Sequence, residues 1–171
     1  MDPTNLAPVA SEDVLQIAGL PLHPLIVHAV VVLTPLTVLA LLLGAFWPAA
    51  RRRLGIVTAL GAALVLVLVP ITVAAGQSLA ERIGPVPAVA RHQQFGEMLL
   101  PWAIALFVVA AAQWAWFRFG DERMRRGSPV AARAVRIGLA VASVIVGVGT
   151  AVLLVLIGDS GARAVWGGLL S

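Results

Sequence analysis

The chain has no cysteine, which excludes disulfides, thiolate metal sites, iron–sulfur clusters and thioether-attached haem. It has no lysine either, so all twelve basic residues are arginine. Charge of either sign is scarce: 12% of its 171 residues, where a soluble domain carries about 25%. What fills the space is apolar, with 60% of the residues hydrophobic. Four windows contain no Asp, Glu, Lys or Arg, namely 25–46, 54–75, 98–117 and 137–157. Each is close to the roughly 20 residues that cross about 30 Å of hydrocarbon as a helix. The expectation is an all-α, four-helix transmembrane bundle with helices near 25–46, 54–83, 87–117 and 137–157, a membrane domain over 22–168, an outer segment 1–21 and an outer tail 158–171.

Arginine placement sets the expected orientation. Arg51, Arg52, Arg53, Arg118, Arg123, Arg125, Arg126, Arg133 and Arg136 fall in the first and third connections, against Arg82, Arg91 and Arg163 on the other side. Nine against three is a positive-inside signal, so both termini and the second connection should face outward. Trp47, Trp114 and Trp116 then mark the inner interface, and Trp102 and Trp166 the outer one. The arginines gather at bilayer edges without interleaved aromatics, so they are read as topology determinants and lipid contacts rather than a nucleic-acid surface.

The N-terminal segment carries Asp2, Glu12 and Asp13 and no basic residue, unlike the start of a secretory signal peptide, so it is expected to be retained. Ser11 as N-cap, Val14, Leu15 and Ile17 as apolar positions and Gly19 as a stop suggest a short interfacial helix. Small residues recur every fourth position at Gly55, Ala59 and Ala63, and again at Ser143, Gly147 and Ala151, a spacing that lets helix backbones approach. Pro35 and Pro70 lie inside two of the helices and should bend them. Helix-compatible residues flank the Gly84-Pro85-Val86-Pro87 break, so helices 2 and 3 are expected to extend outside the membrane as a hairpin.

Three separated motifs, LPLHPLIVH, AGQSLAERIGPVPAVARHQQFGE and IGDSGARAVWGG, resemble the domain-of-unknown-function 2231 family, predicted four-span bacterial membrane proteins. The resemblance runs from about Leu20 to Gly168. It implies a bundle in a bacterial cytoplasmic membrane without an established activity, likened at fold level to membrane b-type cytochromes. His23, His28 and His92 fall within these motifs. Asp159 departs from the family pattern, where many relatives carry His in GHSGA.

Depth constrains the chemistry. With outer edges aligned, His28 lies about 4 to 5 Å inside the hydrocarbon and His92 about 9 Å outside, a mismatch of roughly 13 Å for two ligands of one haem. His23 with His92 is better matched, although His23 precedes Pro24 and is expected at the helix cap. His23 and His28 stand about 140° apart around the helix and cannot face one site. His28 should be neutral and turned to the bundle, with a ligand, Glu97 or Asp159 as partner. Asp159 and Arg163 have the i,i+4 spacing of a helical ion pair, and Gln113 is read as inter-helical glue.

Two classes of function follow. The first is a redox or ion-related protein whose outer cluster holds a single b-type haem through His28, His92 or His23, or a divalent metal ion through His28, Glu97 and Asp159. The second is a non-catalytic structural subunit without cofactor, docked on a membrane-protein partner or a second copy within the lipid bilayer. Ser78 and Ser160 have no histidine at a catalytic spacing, and there is no phosphate-cradling Gly-rich loop, so nothing points to an enzyme.

Overall fold

A computed structural model describes residues 16–17 and 20–167, with side chains from His23 onward. The helix expected over 11–19 lies largely outside the described residues. Gln16–Ile17 and Leu20–Pro21, β1 and β2, form a two-residue antiparallel ladder with Gln16 opposite Pro21 and Ile17 opposite Leu20. The remaining described residues are helical apart from Trp47, residues 84–86, Ser128 and the turn at Gly167.

Proline punctuates the chain. Helix α1 runs Leu22–Phe46 with Pro24 in its first turn, where the missing N–H has no intrahelical partner to lose. Pro48, Pro87 and Pro129 each stand at the first position of a helix. These are α2, Pro48–Ile83, α3, Pro87–Ala115, and α5, Pro129–Trp166. Gly84 ends α2 at φ 84°, a left-handed geometry that only glycine adopts without strain. Helix α3 passes through a π-helical turn, Trp116–Gly120, directly into α4, Asp121–Gly127. Ser128 then caps α5 by accepting from the Ala131 N–H.

Four of these helices are long and apolar enough to cross a membrane. They pack as a square in the order α1, α2, α3, α5, so α1 and α3 face each other diagonally, as do α2 and α5. The interior holds two apolar clusters. Val30, Val65, Val69, Leu99, Ala103 and Leu153 form one toward the Gly84 end, and Val38, Leu41, Ala62, Leu106, Ala110 and Val146 form the other toward the arginine-rich end. The outside is no less apolar: Leu36, Leu60, Val108, Ile145 and Val155 are all exposed. A bundle greasy on both its inner and outer faces belongs in lipid rather than water.

The small-residue expectation holds in part. Ala59, Ser143 and Gly147 are buried, but Ala151 is exposed, and the buried stripe of α5 continues through Thr150 and Leu153 instead.

Candidate functional site

Of the three histidines, the structure brings together His23 and His92. They come from the diagonal pair α1 and α3, and their ring centres are 6.4 Å apart with planes at 85°. The charge-free window began at Leu25, but the helix begins three residues earlier at Leu22. Pro24 is thus a first-turn residue, and His23 sits within α1.

Each imidazole is fixed in the same way. His23 donates from Nδ1 to the Thr72 carbonyl of α2 at 2.9 Å, and His92 donates from Nδ1 to the Ile157 carbonyl of α5 at 3.1 Å. A carbonyl can only accept, so Nδ1 carries the proton in both rings, and in the neutral imidazole Nε2 keeps its lone pair. Four residues beyond each carbonyl stands a glycine against the same ring. A Cβ on Gly76 would lie 2.9 Å from His23 Cε1, and one on Gly161 would lie 3.1 Å from His92 Cε1. Ser160 adds a hydroxyl 3.2 Å from His92 Nδ1 while donating to the Ile157 carbonyl at 3.0 Å. The α1–α2 and α3–α5 hairpins thus repeat one arrangement: a histidine near the start of one helix, a carbonyl and a glycine on the next.

The other expected site residues stand apart. His28 is exposed, and its Nδ1 donates to the Pro24 carbonyl one turn back on its own helix. It is therefore not turned to the bundle, because five residues carry it about 140° around the helix from His23, which occupies the inward face. Glu97 is exposed and accepts from Gln77 at 3.1 Å and from Gln93 at 3.0 Å, tying α2 to α3. Asp159 is exposed and pairs with Arg163 at 2.9 Å, as the i,i+4 spacing suggests. Among the described residues no three His, Asp or Glu side chains converge to hold a metal ion.

Gln113 is buried and bridges helices by donating to Ser143 Oγ at 3.2 Å and the Leu41 carbonyl at 3.4 Å. Arg51 donates to the Gly44 and Ala45 carbonyls at 2.6 and 2.7 Å and lies 3.5 Å above the Phe117 ring, clasping the end of α1 to the π turn. Reading the sequence singled out neither the Thr72 and Ile157 carbonyls nor Gly76 and Gly161. The two glycines carry a faint signal: each sits where a helix must let a ring approach its backbone.

Fold and site together define a multi-pass membrane protein of four packed spans with a diagonal histidine pair at one end. The chain belongs to the DUF2231 family of predicted membrane proteins, whose model matches residues 19–170 and so takes in every helix and all three histidines. No curated protein matches the chain, and no solved structure does.

Proposed function

We propose that this protein binds one metal-centred cofactor through His23 and His92, at the end of the bundle that faces outward from a bacterial cytoplasmic membrane, and serves a redox or ion-related role there. The observation that carries this is the repeated half-site. Two imidazoles, each oriented by an Nδ1–H bond to a main-chain carbonyl, present two Nε2 lone pairs; an oriented second nitrogen is the usual companion of a ligating histidine. With ring centres 6.4 Å apart, the two imidazoles are near enough for both to ligate one metal centre, and His23 and His92 would be the residues that hold a single b-type haem. Such a haem would supply reversible one-electron chemistry. Thr72 and Ile157 would hold the rings in place, while Ile26, Phe95 and Leu100, packed on the neighbouring apolar cluster, would limit water. A single metal ion would use the same two ligands, whereas His28, Glu97 and Asp159 do not form a set.

The purified protein is expected to show a Soret band that His92→Ala and His23→Ala each abolish, with metal analysis giving one iron per chain; one equivalent of another metal would indicate the ion form. The competing reading is a structural subunit, favoured by the fact that each imidazole already makes an inter-helix hydrogen bond. In that case no metal or visible band accompanies the protein, and both variants only lower its melting temperature.

A further inference from the structure

Midway along the bundle, between the two apolar clusters, lies a second polar site. Thr34 and Thr150 are both fully buried, and the hydroxyl of each makes no hydrogen bond to any protein group. Three other hydroxyls of the bundle behave differently: Thr58, Thr72 and Ser143 each donate to the carbonyl four residues back at 2.7 to 3.0 Å. Thr34 follows Val30 and precedes Val38 on the buried stripe of α1, while Thr150 lies between Val146 and Leu153 on α5.

The register of these antiparallel helices brings the two threonines to similar depth. A Cβ on Gly147 would touch Val38 and Leu42, so Thr150, three residues further along α5, stands within about one turn, or 5.4 Å, of the level of Thr34.

Buried hydroxyls without partners are strongly disfavoured, and polar interiors of this kind hold ordered water making about three hydrogen bonds. We infer that Thr34 and Thr150 form a binding site for ordered water sealed between α1 and α5 at the middle of the membrane. The water exchanges hydrogen bonds with both hydroxyls.

X-ray radiolysis of the full chain in detergent, read by mass spectrometry, generates hydroxyl radicals from bound water in place. Val30, Thr34, Thr150 and Leu153 should be modified several-fold faster than Leu41 and Leu106, which are as fully buried as the two threonines, and Thr34→Val with Thr150→Val should remove the excess at Val30 and Leu153. Equal rates at the two sets would overturn the inference. Thermal unfolding gives a second readout: each single Val variant should melt about 2–4 °C lower, and the double variant should lose less than the sum. Val variants as stable as the parent would show dry hydroxyls and sink the proposal. Coupled losses without excess labelling would mean that the hydroxyls bond each other directly, and would sink it too.

Discussion

Trp102 lies with its indole across Gly149 of α5, where an added Cβ would stand 2.0 Å from two ring carbons. No flexible chain end can yield there, because the ring is wedged between α3 and α5. Gly149→Ala should therefore destabilise the protein by about 1–3 kcal/mol, the usual cost of overpacking a tight core. The check is thermal unfolding in detergent, and Trp102→Leu in the same background should recover part of the loss. The sequence placed Trp102 at the outer interface, since tryptophan is commonest there. What it does not reveal is which tryptophan has a glycine opposite. The same gap affects the histidines. Matching depth favoured His23 with His92, yet His28, deeper in the apolar run, was expected to turn to the bundle; depth says nothing about which face of a helix is turned inward.

At the scale of elements, the four spans were legible because charge is excluded from hydrocarbon, and the charge-free windows mark that exclusion. They mark it for the membrane and not for the helix. Helix α2 starts at Pro48 rather than near residue 54, and α5 runs Pro129–Trp166 rather than about 137–157; in both cases the extra turns carry arginines that helices tolerate and lipid does not. The prolines at the helix starts were the better boundary signal. The clasp at Arg51 makes a test of element packing. Its guanidinium serves two carbonyls at the end of α1 and stacks on Phe117 of the π turn at once. Arg51→Lys keeps the charge but cannot form the fork or the stack. A loss of about 1–3 kcal/mol is expected from the unsatisfied carbonyls, against no more than about 0.5 kcal/mol for Arg52→Lys on the exposed side of the same turn. Equal melting temperatures for the two variants would show that the clasp contributes nothing.

For the molecule as a whole, orientation rests on the nine-to-three arginine asymmetry. Reporters fused after Ser171 and within Pro85–Pro87 should report the outer compartment, and one near Gly127 the cytoplasm. The opposite pattern would move the histidine pair inside and leave the proposed cofactor facing cytoplasmic partners. The overall bundle was readable from composition, yet the near-equivalence of its halves was not, since it resides in a carbonyl and a glycine on each side and not in repeated sequence. That equivalence bears on biogenesis. The first hairpin leaves the ribosome with His23, the Thr72 carbonyl and Gly76 all present, whereas His92, Ile157 and Gly161 arrive only with the second. Neither hairpin alone offers more than one imidazole anchored to a carbonyl of the neighbouring helix. A cofactor that needs two can be captured only after the second hairpin has docked, so loading would act as a checkpoint on membrane insertion and keep half-made chains empty.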